Sequence, residues 1–189
     1  MLLQMVSLYR NGELVKMSKR TGQSVTLAEL IEEVGTDAAR YFFIMRSLDS
    51  QLDFDLDLAK SKSNENPVYY IQYAHARICS IFRQAAESGL TMAARPKLEL
   101  LTDESEIILI KKMAAYGDEI AYAASERAPH RIARYAHEIA SDFHSFYNRC
   151  RIMGVDTELA QARLALVGAV ASVIRHSLGI LGISAPEKM

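Results

Sequence analysis

Three side chains in one stretch of the sequence, Tyr70, Tyr73 and Arg77, have the types and the spacing of an RNA-recognition surface. Residues at i, i+3 and i+7 lie along one stripe of an α-helix. Phenol rings can stack on unpaired bases, and a guanidinium group can pair with phosphates. The same pattern is typical of aromatic side chains that border a core beside a solvated arginine. The pattern alone therefore leaves a functional and a structural interpretation open.

The helix that must position these side chains is predicted to begin after Asn66, whose side chain can cap it, with Pro67 at its first position. Apolar residues at spacings of three and four give this helix one core-facing side. They are Ile71, Ala74, Ile78, Ile81, Phe82 and Ala85. Because consecutive helical residues are rotated by about 100°, the tyrosine stripe lies on the flank of that side. The helix can thus pack against a core while its flank stays available to a ligand.

Composition limits the classes of partner. The chain has 189 residues, half of them hydrophobic, and a net charge of −1. This length suffices for one domain or one and a half, and the near-neutral charge argues against a general polyanion-binding protein. RNA binding would need a local cluster of positive charge. Residues 127–151 are a candidate, since five arginines there accompany only two acids, Glu138 and Asp142. An ordinary charged helix face has the same composition.

The cysteines, histidines and acids predict neither a disulfide framework nor a metal site. Cys79 and Cys150 are far apart, and the sequence has no secretion signal and no Asn-x-Ser/Thr sequon, which predicts a reducing, cytoplasmic location. The histidines lack zinc spacing with cysteine. Residues 53–64 begin like a calcium loop, but Leu58 and Asn64 stand where glycine and glutamate are required. The longest apolar run, residues 164–183, is interrupted by charge and glycine, so no membrane partner is expected.

The first residues combine a predicted hairpin with a basic loop. Two apolar runs meet at Asn11 and Gly12, a strong hairpin signal. Since an isolated hairpin is marginal in water, we expect the first strand to belong to a larger sheet and otherwise to fray or to pair with another copy. The loop that follows reads Lys16-Met17-Ser18-Lys19-Arg20-Thr21-Gly22. Such a cationic loop can close on a triphosphate, although a solvated basic turn looks the same.

The remaining elements are predicted to be helices. Thr26 begins a capping box, and Asp53, Asp55 and Asp57 are placed to cap the helix that Leu56 begins. A long helix runs from Pro129 to about residue 150, and the last helix ends near residue 181. The core face of the long helix comprises Ile132, Tyr135, Ile139, Phe143, Phe146 and Cys150, with Tyr147 just off that line. We therefore predict a mainly α fold ending in an all-α bundle.

Four segments, in order, resemble bacterial arginyl-tRNA synthetases, which are class I aminoacyl-tRNA synthetases. They are Lys16-Met17-Ser18-Lys19 with Thr21-Gly22, Asp37-Ala38-Ala39-Arg40-Tyr41-Phe42-Phe43, Leu52-Asp53-Phe54-Asp55, and Asn66-Pro67-Val68-Tyr69-Tyr70-Ile71-Gln72-Tyr73-Ala74-His75-Ala76-Arg77. The tail Pro186-Glu187-Lys188-Met189 resembles the Pro-Glu-Arg-Met ending of that family. The resemblance implies a C-terminal fragment with three parts: a catalytic-domain remnant (1–25), an α-helical connector (26–61) and an α-helical anticodon-binding domain (62–189).

The same resemblance implies the function. The parent enzyme attaches arginine to its tRNA with ATP and Mg²⁺, and the loop Lys16, Met17, Ser18 and Lys19 stabilises the ATP phosphates, with Lys19 as the main contact. Tyr70, Tyr73, Arg77, Tyr147 and Met189 would surround the anticodon loop of tRNA(Arg). The parent is expected to be a monomer. The fragment is expected to be inactive because the His-x-Gly-His signature is missing, and no cofactor is expected to bind it tightly. Self-association through its hairpin is expected because an apolar edge strand can pair with another copy.

A competing interpretation is a helical protein–protein adaptor in which the tyrosines form a contact patch. The two interpretations differ in their response to salt. RNA binding weakens steeply with salt, whereas an apolar contact does not.

Overall fold

A computed structural model describes residues 4–15, 25–47 and 49–189 of the chain. Within these ranges the strands are β1 (Val6–Arg10), β2 (Glu13–Leu14) and β3 (Leu52–Asp55). The helices are α1 (Leu27–Val34), α2 (Thr36–Ile44), α3 (Leu56–Lys60), α4 (Pro67–Glu87), α5 (Glu104–Ala114), α6 (Tyr116–Ser125), α7 (Pro129–Arg149) and α8 (Thr157–Ile180), with a 3₁₀ turn at Leu98–Leu100. The predicted fold class, a hairpin and short helices followed by an all-α bundle, is confirmed.

The hairpin forms as the sequence predicts, but its partner strand was not foreseen. Asn11 and Gly12 have φ values of 51° and 74°, the left-handed conformation that a two-residue hairpin turn requires. β1 pairs antiparallel with β2 on one side and parallel with β3 on the other, with Val6 opposite Leu52. The expectation that β1 needs strands from outside this chain is therefore wrong, because both of its edges are paired here. Residues 1–3 and 16–20, which that expectation also covered, lie outside the described residues.

β3 lies within the stretch predicted as an α-helical connector and anchors a small aromatic core. Phe54 is fully buried, and its ring centroid lies 5.2 Å from that of Phe42 and 5.3 Å from that of Phe43. The carboxylate of Asp55 accepts hydrogen bonds from the backbone N–H groups of Asp57 and Leu58, at 2.9 Å each. Asp55 thus caps α3, as predicted.

Asn66 joins the N-terminal elements to the bundle. Its side-chain oxygen accepts from the backbone N–H of Val68 at 3.2 Å, so it caps α4 as predicted. Its amide nitrogen donates to the carbonyl oxygens of Ala59 and Ser61, at 3.1 and 2.8 Å. Asn66 is buried, and every polar atom of its amide has a partner. The start of α4 is therefore held in a defined position relative to α3.

The bundle core lies between α4, α5, α7 and α8. Its fully buried side chains include Ile71, Ile78, Leu109, Ile139, Phe143, Phe146, Leu164, Ile174 and Leu178. Proline opens both α4 and α7, where its missing N–H costs nothing. Because α4 and α7 pack side by side, the flank of α4 that carries the tyrosines faces the flank of α7.

The last helix, α8, is long and apolar enough by composition to cross a membrane, with a mean hydropathy of 1.3 over its 18-residue window. It packs against α4, α5 and α7, and ten of its residues are buried, among them Leu164, Val167 and Ile174. That arrangement is typical of a core helix.

Candidate nucleic-acid interface

A groove of about 410 Å³ opens between α4, α7 and the C-terminal residues. Four of the five residues predicted to contact an anticodon line it: Tyr73, Arg77, Tyr147 and Met189. They come from three separate parts of the chain, so only the packing of α4 against α7 and the path of the tail bring them together. The groove thus unites two phenols, a guanidinium and an apolar side chain.

Arg77 is held between the two tyrosines of the groove. Its Nη1 donates to the hydroxyl of Tyr73 at 2.7 Å. Its guanidinium carbon lies 4.5 Å from the ring centroid of Tyr147 and 5.8 Å from that of Tyr73. These cation–π contacts fix the direction of the guanidinium group without neutralising its charge. The charge stays available for an anion or for a base edge.

The groove is also lined by two cations, Arg83 and Lys188, which were not predicted from the sequence to belong to it. Within the described part of the chain, neither they nor Arg77 has a carboxylate within 4.0 Å. Among residues 4–15, 25–47 and 49–189, no acidic side chain lines the groove either. Arg83 lies on the same helix as Arg77, and that position in the sequence was the signal that could have assigned it to the groove. The position of Lys188 could not be read from the sequence, because it depends on the path of the C-terminal residues. The groove is therefore a local positive site on a nearly neutral protein.

The fifth predicted residue, Tyr70, does not line the groove. It is half-buried, and its ring centroid lies 4.7 Å from that of His144 and 5.2 Å from that of His137, both on α7. His144 in turn lies 5.9 Å from Tyr73. Tyr70 therefore acts as a support that holds α4 and α7 in register behind the groove.

The two histidines behind the groove are in an environment that disfavours their charged forms. Burial lowers the pKa of His144, and the nearby positive charge of Arg77 lowers it further, while the backbone of Tyr70 opposes the shift. Burial also lowers the pKa of His137, against the opposing charge of Glu138. Within the described residues, the buried Nε2 of His144 has no hydrogen-bond partner. The lowered pKa values favour the neutral forms of His137 and His144, and with Tyr70 these rings form an aromatic wall behind the groove.

The arginine surplus on and around α7 is partly neutralised by acids from other parts of the bundle. Nη2 of Arg131 donates to Glu119 at 2.9 Å, and Nε of Arg149 lies 3.1 Å from Asp103. Arg134 lies 3.7 Å from Glu138. Glu119 belongs to α6 and Asp103 caps α5, so the count over residues 127–151 overestimated the free charge.

A second cavity, of about 610 Å³, lies on the other side of Met189, between α2, α3 and the start of α4. Tyr69 lines it, and the ring of Tyr69 lies parallel to that of Tyr73, with centroids 6.2 Å apart. Tyr69 and Met189 therefore connect the two cavities along one surface.

The predicted ATP-phosphate residues, Lys16, Met17, Ser18 and Lys19, lie outside the described residues. Among residues 4–15, 25–47 and 49–189, no three histidine, cysteine or acidic side chains are grouped so as to hold a metal ion. Cys79 and Cys150 are both free thiols.

A family model described as the DALR anticodon binding domain matches residues 71–189. The chain belongs to this family. The matched part of this DALR chain includes Tyr73, Arg77, Tyr147 and Met189, and so all of the predicted residues that line the groove. The general resemblance on which the site was predicted is confirmed, while the individual roles of these residues remain predictions.

Relatives of this DALR chain carry the name arginine–tRNA ligase. The one from Carboxydothermus hydrogenoformans is 58% identical over 190 residues, which covers 100% of this chain and 34% of that protein. The arginyl-tRNA synthetase structure from Thermus thermophilus is 27% identical with a TM-score of 0.72, covering 90% of this chain and 29% of that one. A crystal structure from Campylobacter jejuni is 32% identical with a TM-score of 0.85, covering 100% and 40%. The chain thus spans about a third of the length of the curated relatives it matches.

Proposed function

We propose that this chain is the C-terminal part of an arginine–tRNA ligase and that its groove binds the anticodon loop of tRNA(Arg). The observation that carries the proposal is the groove itself, in a member of an anticodon-binding family. Two phenols converge there with three cations that have no carboxylate partner among the described residues. Aromatic faces that stack splayed bases, with polar groups at the base edge, are the usual means by which proteins read single-stranded RNA.

The middle anticodon base, which arginine tRNAs share as cytosine, is the base that we assign to the groove. It would stack on Tyr73 or Tyr147, while Arg77 and the end of the tail face its edge. A base can enter only when it leaves the stack of the loop, so the groove would select a splayed conformation.

The parent enzyme, in this proposal, attaches arginine to its tRNA with ATP and Mg²⁺ in the cytoplasm, and residues 62–189 form its anticodon-binding domain. Lys16, Met17, Ser18 and Lys19 would contact the ATP phosphates, with Lys19 as the main contact. The 189 residues alone should then support no arginine-dependent exchange of pyrophosphate into ATP, with or without tRNA. Clear exchange by a pure preparation would overturn this part of the proposal.

Substitution of Tyr73 tests the RNA assignment. Tyr73→Ala should weaken binding of an arginine tRNA transcript by roughly 1–3 kcal/mol, because a stacking surface is lost. Tyr73→Phe should recover most of that loss, since the ring remains and only the hydroxyl that accepts from Arg77 is removed. Binding is measured by titration at fixed salt, and folding is measured by the melting temperature.

Two controls separate stacking from stability. Ile78→Ala, at a fully buried position on the core face of the same helix, should destabilise the bundle by about 2–5 kcal/mol. Tyr122→Ala, at an exposed tyrosine on α6, should leave RNA binding unchanged and lower the stability only slightly, through loss of the contact with Arg131. If folded Tyr73→Ala binds as tightly as the parent chain, the anticodon assignment of α4 is wrong.

The adaptor interpretation remains the second candidate, because Met189 and the tyrosines also offer a partly apolar surface. Salt dependence distinguishes the two. RNA contacts by Arg77, Arg83 and Lys188 should make log K fall with log salt by about 0.7 for each phosphate neutralised. A flat salt response, together with binding to tRNAs of every specificity alike, would favour the adaptor.

A further inference from the structure

The residues after α8 form neither helix nor strand, yet they are tied to two separate parts of the molecule. Nε of Arg40, on α2, donates to the carbonyl of Leu181 at 2.9 Å, and the backbone N–H of Ser184 donates to Asp37 at 3.2 Å. From α4, the amide of Gln72 donates to the carbonyl of Ser184 at 3.0 Å. This segment, residues 182–189, is called the tail below. Its path is therefore specified by side chains that are distant in sequence.

Gly182 lets the tail leave α8 at this point. Its φ is 68°, and a Cβ there would lie 2.7 Å from Nη2 of Arg40. Any other residue would be strained by the left-handed backbone and would displace the guanidinium. The turn into the tail and its first anchor thus depend on each other.

His75 provides the next anchor. It is 0% exposed, its Nδ1 lies 2.9 Å from the carbonyl oxygen of Pro186, and its Nε2 lies 3.4 Å from Nε of Arg175. A carbonyl can only accept a hydrogen bond, and a guanidinium can only donate one. Nδ1 must therefore carry the proton while Nε2 accepts, so the two partners specify one neutral tautomer. A histidine constrained at both nitrogens holds the backbone of Pro186 in one place.

The residues just beyond this anchor belong to the groove. Nη1 of Arg83 donates to the carbonyl of Glu187 at 3.3 Å, and Lys188 and Met189 line the groove. His75 itself does not line it. His75 is therefore not placed to contact a ligand in the groove directly, and its hydrogen bond to Pro186 links it to the tail.

We propose that His75 is a positioning residue of the RNA groove: by holding Pro186 it sets the place of Lys188 and Met189 opposite Tyr73 and Tyr147. This inference rests on the proposed function of the groove. Without the hydrogen bond from His75, the tail would sample many conformations, and ordering the tail on each binding event would cost conformational entropy.

The test measures binding of an arginine tRNA transcript to the 189-residue chain and to a truncated chain that ends at residue 185. His75→Leu removes the Nδ1–H donor to Pro186 and keeps a side chain of similar size. We expect about 2- to 12-fold weaker binding by the full chain, because one hydrogen bond is lost. His75→Asn can place an N–H close to the position of Nδ1 and should restore affinity to within about twofold of the parent. In the truncated chain, His75→Leu should have no further effect.

Salt dependence gives a readout that a merely structural histidine would not change. If His75 positions Lys188, then His75→Leu and Lys188→Ala should each lower the salt slope by about 0.7, and the double variant should lower it no further. Arg175→Leu is a second route to the same result, at an exposed position where folding should be tolerated. It should weaken binding by the full chain by about twofold and leave the truncated chain unchanged.

His176→Leu serves as the matched control. His176 is an exposed histidine on the same helix as Arg175, and it pairs with Tyr116 at 3.0 Å and does not line the groove. It should not alter RNA affinity. Equal losses from His75→Leu in the full and truncated chains, or unchanged affinity in both His75→Leu and Arg175→Leu, would overturn the role of the tail. If instead the parent chain binds no arginine tRNA, the proposed function itself fails.

Discussion

Two arginines of this chain lie over tyrosine rings at the same distance, yet only one belongs to the proposed site. The guanidinium carbon of Arg77 is 4.5 Å from the ring centroid of Tyr147, and that of Arg131 is 4.5 Å from Tyr122. Arg131 pairs with Glu119, and the cavity beside it also contains Glu138. Arg77 has cations, phenols and Met189 around it and no acidic side chain in its groove. An arginine on a tyrosine is therefore not a binding site by itself; what distinguishes Arg77 is that no carboxylate in the described part of the chain pairs with it.

We expect substitution of Arg77 to affect mainly RNA binding and substitution of Arg131 to affect mainly stability. The larger of the two effects is expected at Arg77. Arg77→Ala should weaken RNA binding by about 1–3 kcal/mol. It should lower the melting temperature only slightly, since this half-buried side chain loses one hydrogen bond and two cation–π contacts but no ion pair among the described residues. Arg77→Lys should not restore binding fully, because an ammonium lacks the planar guanidinium face. Titration with a tRNA transcript and thermal melting measure the two effects. Unchanged affinity in folded Arg77→Ala would remove the basis of the comparison.

Arg131→Ala should show the reverse pattern, with a smaller effect. Loss of the contacts to Glu119 and Tyr122 should lower the free energy of unfolding modestly, because solvent screens this pair, and RNA affinity should not change. Chemical denaturation measures the first quantity and titration the second. A variant with weaker RNA binding but normal stability would mean that the surface around Tyr122 also contacts RNA.

Acid should affect the wall behind the groove through His137 and His144, and this effect is expected to be the smallest. Burial lowers the pKa of each below its ordinary value of 6.5, so the unfolded chain binds more protons than the folded chain. Their contribution to stability is complete above pH 6.5 and is lost as the pH falls through the lowered pKa values. Around these rings, Arg77 disfavours further positive charge, while Glu138 favours it at His137.

Denaturation curves at several pH values between 5 and 8 should therefore give a lower stability at the acid end. The slope from each histidine cannot exceed about 1.4 kcal/mol per pH unit. His144→Gln should flatten the dependence, and His176→Gln, at the exposed histidine on α8, serves as the comparison. A pH dependence that is identical in all three chains would rule out the histidine wall as its source.

Local signals in the sequence predicted α4 and its two faces correctly. Asn66 and Pro67 specify the start of the helix, because capping and a preset φ are properties of a few adjacent residues. Helical periodicity separated the buried Ile71 and Ile78 from the flank that carries Tyr73 and Arg77. The family resemblance added Tyr147 and Met189, which periodicity could not connect to α4.

Pairings across long sequence distances were decided only by the tertiary structure. β3 is four residues long and is separated from β1 by two helices, so its short apolar pattern did not reveal a parallel partner. Tyr70 has the same spacing as Tyr73, and only the position of His137 and His144 places it behind the groove. Whether an arginine is free or paired likewise depends on which acid the neighbouring helices bring to it, as Glu119 does for Arg131.

The sequence by itself thus determined the helices, the turn at Asn11 and Gly12, and the stripe of Tyr73 and Arg77 proposed to contact RNA, because these depend on residues within a few positions of one another. The tertiary structure decided which of those side chains meet. It brings Tyr147 to Arg77 across two helices and returns the tail over His75, so that Met189 reaches the groove. The physical reason is that close packing and the pairing of buried polar groups act between neighbours in space, at whatever distance those neighbours lie along the chain.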